Sequence, residues 1–256
     1  MRDPEKRSLM QKAIRRGDVA LAQSTARWLL VNDSHQWVFN RVQIIGFEEC
    51  WPLAGNAVRI AGEQSLMEFI ALITNAAKCK DACGVGSMAD AWIGGATPPI
   101  SKEVKIVRAA IERPNDFWAW AGTHGDKAIV SAARHVTWQK GFSWDMAFAF
   151  AGAYLSTVHV PAVNHAEAVP CPMWVAQDRH TPRGKAALRN VAAHMRVPYA
   201  HIEWAQFYCE SALVNGDGSS PWFTAEAEWR LGTVGLTLEK ARAVWEIAAP
   251  LMQAAL

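Results

Sequence analysis

Apolar positions recur with helical spacing along most of the chain. Residues 8–31 predict an amphipathic helix, a break at Gly17 and Asp18, and a second helix that Asp18 caps. Further helical patterns cover residues 36–50, 57–83, 102–113, 127–154 and 221–256. The segments STVHVPAV and PMWVA are short and flanked by proline, so no stretch alternates convincingly as a strand. The pattern predicts an all-α protein.

One stretch rich in glycine and proline, GVGSMADAWIGGATPPISKE, interrupts the helical pattern at residues 84–103. Such composition favours a linker or a boundary between lobes. We therefore expect a two-lobed helical architecture, with an N-terminal lobe at residues 1–95 and a second lobe at residues 96–256. The second lobe is expected to hold the active site.

Composition adds limits to this picture. The chain is 51% hydrophobic and 20% charged, as in soluble globular proteins, and has no apolar run of membrane-spanning length. Its N-terminus is charged and lacks the apolar core of a signal peptide, so we expect a cytoplasmic protein. The net charge of +2 does not by itself indicate nucleic acid. Basic residues do cluster locally, at Arg2, Lys6, Arg7, Lys12, Arg15 and Arg16, and again at Arg179, Arg183, Lys185 and Arg189.

The cysteines and histidines do not predict a metal site. The five cysteines are scattered and form no CxxC pair, and buried free thiols are expected. Cys79 and Cys83 have the spacing of one helix face. A metal-dependent hydrolase using His159, His165 and His180 would need a ligand pair at helical spacing, which the sequence lacks. We expect neither a metal nor another cofactor.

The N-terminal part has a recognisable pattern: KAIRRGD, then W-x-x-x-R, then IIGFEECW. Over roughly residues 8–60 it resembles the collar domain of the replication-associated recombination ATPases of the clamp-loader class. The chain has no Walker motif, so the resemblance implies a helical packing module that oligomerises and has no ATPase activity. It supports an alternative function, a non-enzymatic helical adaptor in replication or recombination.

Lys140 is the first candidate for chemistry, because it stands at the head of an apolar stretch between Trp138 and Trp144. Burial disfavours the charged form of a lysine, and a neutral amine can form a Schiff base with a sugar carbon. The alternative is a surface lysine whose aliphatic stem covers the aromatic side chains.

Asp178 is the second candidate, at the start of a basic helical segment. One interpretation is an N-cap or loop residue. The other is a carboxylate that stabilises positive charge on a deoxyribose as its base departs, as in glycoside hydrolysis. Arg179, Arg183 and Lys185 would then hold flanking phosphates, with backbone N–H groups at the helix start.

These residues belong to a longer pattern: WQK, an apolar helix ending in AGAYL, a proline-containing loop, Asp-Arg, and VPYAHIEWAQFYCESALVNG. Over roughly residues 127–216 it resembles the archaeal 8-oxoguanine DNA glycosylases, a divergent branch of the helix–hairpin–helix DNA glycosylases. The resemblance implies that Gln139 and Lys140 form the nucleophilic pair, that Asp178 assists, and that Glu203 and Phe207 line the base pocket. The glycine-rich hairpin of that family is not visible before Lys140.

A base cannot be attacked within the duplex stack, so such an enzyme flips it into a pocket. Glu203 is expected to read the edge of the flipped base. His201 and His180 either serve the pocket or satisfy hydrogen bonds of the core. Candidates to stack on the base are Trp138, Trp144, Trp174, Phe207 and Tyr208.

The leading hypothesis is a monomeric DNA glycosylase acting on double-stranded DNA that contains a damaged or modified base. It would cleave the N-glycosidic bond and leave an abasic site. Additional AP-lyase activity through a lysine Schiff base stays open. The resemblance implies oxidised guanine as the target, and a hypermodified phage base such as glycosylated cytosine would make the enzyme part of antiviral defence.

Overall fold

The computed structural model describes residues 3–138 and 144–256. In these ranges it contains thirteen α-helices and, apart from two isolated bridges, no β-structure, which confirms the all-α class. The helices are α1 Pro4–Arg16, α2 Val19–Asn32, α3 His35–Cys50, α4 Glu63–Asn75, α5 Asp81–Ile93, α6 Lys102–Glu112, α7 Pro114–His124, α8 Lys127–Thr137, α9 Ala147–Leu155, α10 Pro182–Met195, α11 Tyr199–Gln206, α12 Pro221–Gly232 and α13 Leu238–Ala255. Of the described helices, none has the length and apolar character to cross a bilayer.

Short helical turns join some of these helices. Three are 3₁₀ turns, at Trp51–Arg59, Trp144–Met146 and Met173–Ala176. A π-helical turn at Phe207–Ser211 continues α11.

The predicted break between the first two helices is confirmed. Helix α1 ends at Gly17, whose φ of 86° lies in the left-handed region that glycine adopts without strain. The Asp18 side chain then accepts a hydrogen bond from the backbone N–H of Leu21 at 2.9 Å and caps α2. This tight hairpin packs α1 against α2.

Two clusters of buried apolar side chains form the cores. The first extends through α1–α9, from Met10 to Leu155, and the second is built from α10–α13, from Ala187 to Met252. The boundary expected at residues 95 and 96 falls within the first cluster. The cores of this structure therefore divide later in the chain, between Leu155 and Ala187.

The glycine-rich stretch expected as a linker is helical in its first half, so that part of the prediction is wrong. Residues Asp81–Ile93 form α5, and its glycines lie at close helix contacts. A Cβ on Gly84 would overlap the backbone of Trp222 and Phe223 in α12, and one on Gly86 would lie 2.8 Å from the carbonyl carbon of Ala147 in α9. These glycines let α5 pack closely against helices from the later part of the chain.

Candidate active site

The polar face of α1 lines a cavity that we call the central cavity, because two others adjoin it. Ser8, Lys12 and Arg15 recur three or four positions apart, so they share one side of the helix, opposite the buried Met10 and Ile14. The central cavity measures about 280 Å³. Its lining residues are Gln11, Lys12, Arg15, Arg41, Glu48, Asp145, Asp178, Arg179, His180 and Phe207.

Two further cavities adjoin this one, because they share lining residues with it. One, of about 270 Å³, shares Lys12 and His180 and opens toward Arg7 and Trp37. The other, of about 540 Å³, shares Arg179, His180 and Phe207. We call the three together the Asp178 cleft, because Asp178 lies at the floor of the central cavity with only 1% of its surface exposed.

Asp178 is held by charge and hydrogen bonds. Its Oδ2 contacts Nζ of Lys12, and its Oδ1 accepts from the backbone N–H of His180 at 2.8 Å. The His180 Nδ1 lies 3.2 Å from the same oxygen. Burial raises the pKa of Asp178, but the charge of Lys12 and the His180 contacts outweigh it, so the pKa is lowered and the carboxylate is ionised at neutral pH.

Lys12 is the buried cation of this pair. Its Nζ also donates to Oγ of Ser8 at 2.9 Å. Burial lowers the pKa of Lys12 more than the charge of Asp178 raises it. The ammonium form is therefore easier to deprotonate than that of a solvent-exposed lysine.

The local chain fold explains the position of Asp178. Thr181, not Asp178, caps α10, because its hydroxyl accepts from the N–H of Gly184 at 3.0 Å. A Cβ on Gly184 would overlap the backbone of Asp178, so this glycine lets the first turn of α10 lie against the Asp178 loop. Asp178 is thus free to face α1.

A network of buried ion pairs fixes α1 to α3 beside the cleft. The Arg15 guanidinium lies 2.9 Å from Glu48 Oε1 and 2.6 Å from Glu49 Oε1, and Lys80 Nζ lies 3.1 Å from Glu49 Oε2. Burial raises the pKa of Glu49, but Arg15 and Lys80 outweigh it and lower the pKa to about 2. Arg41 joins the network to the cleft wall by pairing with Glu48 and Asp145.

Aromatic side chains form the other wall. The guanidinium of Arg179 lies 4.4 Å from the ring centroid of Trp204 and 4.7 Å from that of Phe207, in cation–π contact. The 540 Å³ cavity on this side also contains Trp229, together with the carboxylates of Asp90 and Glu226. Burial raises the pKa of Asp90. This wall combines flat apolar faces with hydrogen-bond acceptors.

Some of the residues singled out from sequence do meet here. Asp178, Arg179 and Phe207 line the cleft together with His180. Gln139 and Lys140, the expected nucleophilic pair, lie outside the described residues.

Two of the predicted stacking tryptophans, Trp138 and Trp174, lie away from the Asp178 cleft. Trp138 is 71% exposed and borders a separate cavity beside Trp118, while Trp174 packs against Trp245 with 6.4 Å between ring centroids. Trp144 begins the 3₁₀ turn that leads into α9. Tyr208 stacks on Trp204, and its hydroxyl donates to Glu226 at 2.8 Å.

Four other residues predicted for the site do not line the Asp178 cleft: Glu203, His201, Arg183 and Lys185. Glu203 accepts a hydrogen bond from the Tyr199 hydroxyl at 3.4 Å, within α11. His201 Nε2 donates to the carbonyl of Val234 at 2.8 Å, which is a hydrogen bond of the fold. Arg183 borders the cavity of about 370 Å³ that contains Trp174, and Lys185 is exposed on α10.

The main residues that the sequence did not reveal are Lys12, Arg41 and Asp145. Lys12 belongs to a basic run that is typical of a solvated helix face. A signal was nevertheless present in Glu48 and Glu49, which follow the apolar run IIGF. Two adjacent carboxylates in an apolar segment require buried cationic partners, and α1 supplies one in Arg15.

Within the described residues, no three His, Cys, Asp or Glu side chains are grouped as metal ligands. Comparisons with family models, with curated proteins and with solved structures gave no match to the chain. Function is therefore inferred from the chemistry of the Asp178 cleft.

Proposed function

We propose that this protein is a DNA glycosylase that removes a damaged or modified base from double-stranded DNA, with Asp178 assisting cleavage of the N-glycosidic bond. The single observation that carries this proposal is a buried carboxylate, paired with Lys12, at the floor of a cleft lined by cations and aromatic rings. Each of these features matches one requirement of the reaction.

The first requirement is stabilisation of positive charge. As the base leaves, the deoxyribose takes on oxocarbenium character at C1′ and O4′. The lowered pKa of Asp178 keeps the carboxylate anionic at neutral pH. Because the carboxylate is buried, its interaction with a developing cation is stronger than it would be in water.

The second requirement is attraction of the DNA backbone. The central cavity is lined by four cationic side chains and three carboxylates. The cations are Lys12, Arg15, Arg41 and Arg179, and the carboxylates are Glu48, Asp145 and Asp178. Arg183, Lys185 and Arg189 extend the basic surface along exposed positions of α10. Arg179 and these exposed cations of α10 would neutralise phosphates on either side of the flipped nucleotide, whereas Lys12, Arg15 and Arg41 are ion-paired within the cleft.

The third requirement is a pocket for the flipped base. The 540 Å³ cavity next to Asp178 offers Trp204, Phe207 and Trp229 for stacking. Asp90 and Glu226 would accept hydrogen bonds from the base edge, a role that the sequence predicts for Glu203. The cavity is large enough for oxidised guanine, and a base with a bulky substituent is proposed as a second substrate class.

The test is direct release of bases. Genomic DNAs that carry different natural modifications are incubated with the protein, and released bases are identified by mass spectrometry. Asp178→Asn is expected to abolish release, while Asp217→Asn, a change at an exposed loop carboxylate, leaves it unchanged.

Full release by a folded Asp178→Asn variant would refute the assigned site. If no DNA yields a base and the protein forms a stable oligomer, the helical adaptor related to clamp-loader collars becomes the better explanation. Circular dichroism of each variant establishes whether the fold is intact.

A further inference from the structure

We propose that Lys12 is a catalytic residue of the Asp178 cleft and that its amine attacks C1′ of the target deoxyribose. This inference rests on the proposed glycosylase function and adds to it a lyase-competent nucleophile. It gives a catalytic role to the N-terminal helix, whose sequence resembles a packing module. Lys140 is the rival nucleophile predicted from sequence.

The position of Lys12 is the first argument. Of the described lysines, it alone lines the Asp178 cleft, where it borders both the central cavity and the adjoining 270 Å³ cavity. Its Nζ contacts the carboxylate that is proposed to assist the reaction. A nucleophile and a proton acceptor are thus in direct contact, as covalent catalysis requires.

The other buried lysines have different surroundings. Lys78 Nζ donates to the carbonyls of Ile73, Thr74 and Ala76 at 2.8–3.0 Å, so its three protons are taken up by backbone. Lys80 is paired with Glu49. Among the described residues, Lys12 donates only to the side chains of Ser8 and Asp178, and Asp178 can accept a proton in exchange.

The proposed step balances in protons and electrons. The Lys12 ammonium gives one proton to Asp178, and the neutral amine forms a bond to C1′. The N-glycosidic bond breaks, its electron pair leaves with the base, and Asp178 passes that proton to the base. The C1′–O4′ bond then opens with its electron pair on O4′, which takes a second Nζ proton through Asp178. The third proton remains on the iminium nitrogen, and Asp178 ends as a carboxylate.

An abasic site tests this step without knowledge of the base. The probe is a duplex oligonucleotide that contains a single abasic deoxyribose, incubated with the full-length protein and sodium borohydride. Borohydride reduces an imine to a stable amine, and peptide mass spectrometry identifies the modified lysine. We expect the adduct on Lys12.

Two variants sharpen the result. Lys12→Arg keeps a cation beside Asp178 but cannot form an imine, so the adduct is expected to be lost. Lys105→Arg, at an exposed position of α6, is expected to leave the adduct yield unchanged. If Lys12→Arg does not fold, the modified lysine of the wild-type protein decides the question alone.

The outcomes separate this inference from the proposed function. An adduct on Lys140 or another lysine, or an undiminished adduct in Lys12→Arg, overturns the role of Lys12. Base release from genomic DNA without any adduct also overturns it but leaves the glycosylase proposal standing. An adduct on Lys12 without base release supports Lys12 and overturns the glycosylase proposal.

Discussion

Lys12 and Asp178, 166 positions apart in the chain, form an ion pair in which the two side chains are only 5% and 1% exposed. The pair joins the first helix of the N-terminal core to the loop that opens the second core. Removing one member leaves a buried charge without its main partner. The resulting loss in the free energy of unfolding is far larger than the contribution of an exposed ion pair.

We therefore predict that Lys12→Met lowers the free energy of unfolding by about 3–5 kcal/mol. The double variant Lys12→Met/Asp178→Leu is expected to be more stable than Lys12→Met alone, because neither charge is then buried unpaired. Urea unfolding of the wild-type protein, both single variants and the double variant gives the coupling energy. Strictly additive effects would contradict a direct interaction.

The second prediction concerns acid stability. Glu49 has its pKa lowered from 4.5 to about 2 by Arg15 and Lys80, against the effect of burial. Its folded-state pKa is depressed, so its contribution to stability is fully present above pH 4.5 and is lost as the pH falls toward 2.

Glu49→Gln should consequently lower stability at pH 7 and flatten the decline of stability between about pH 4.5 and 2. The measurement is the free energy of unfolding as a function of pH. Glu112→Gln, which removes a more exposed carboxylate paired with Arg108 at 3.0 Å, serves as the control and should leave the acid decline in place. If the stability of Glu49→Gln declined as steeply with acid as that of the wild-type protein, protonation of Glu49 would not be the cause of the decline.

Much of the helical fold could be predicted because its signals are local. Each signal depends on residues within one or two helical turns of it. These signals are the periodic apolar pattern, the N-cap of α2 at Asp18 and the end of α1 at Gly17. The glycines of α5 wrongly predict a linker for the opposite reason. Gly84 and Gly86 are required by contacts with α12 and α9, which lie far away in the chain.

The site shows the same distinction. Asp178 could be singled out from its position at the start of a basic helical segment, and Phe207 from the resemblance to the archaeal 8-oxoguanine DNA glycosylases; both line the cleft. Lys12 could not be singled out from sequence, because its importance depends on its contact with Asp178, which lies 166 positions away in the chain. Trp138 is a candidate because it is close to Lys140 in sequence, but its ring borders a different cavity.

The third prediction uses the tight contact at Gly184. Gly184→Ala places a methyl group against the backbone of Asp178, and the loop must shift. A displacement of about 1 Å at a catalytic carboxylate can cost about a hundredfold in rate. Base release is therefore expected to fall by about that factor.

Gly122→Ala is the matched control, because a Cβ at this exposed position of α7 meets no atom within 4 Å. There the gain in helix propensity should stabilise the fold by about 0.5–1 kcal/mol. Equal activity of the two variants would mean that the position of the Asp178 loop does not control the reaction.

The last prediction tests whether Arg179 contacts DNA. Arg179 stacks over Trp204 and Phe207 at the junction of the central cavity and the 540 Å³ cavity, where a phosphate flanking the flipped nucleotide would lie under our proposal. Loss of one phosphate contact on B-DNA reduces the slope of log K against log salt by about 0.9. Arg179→Gln should show this reduction in anisotropy titrations of a labelled duplex between about 50 and 200 mM salt.

Arg108→Gln is the control, because it removes a cation that is stacked 3.9 Å from the ring centroid of Trp92 and does not line the cleft. This variant should keep the wild-type slope. The same slope in Arg179→Gln and the wild-type protein would exclude Arg179 from the DNA interface and leave its stacking as part of the fold alone.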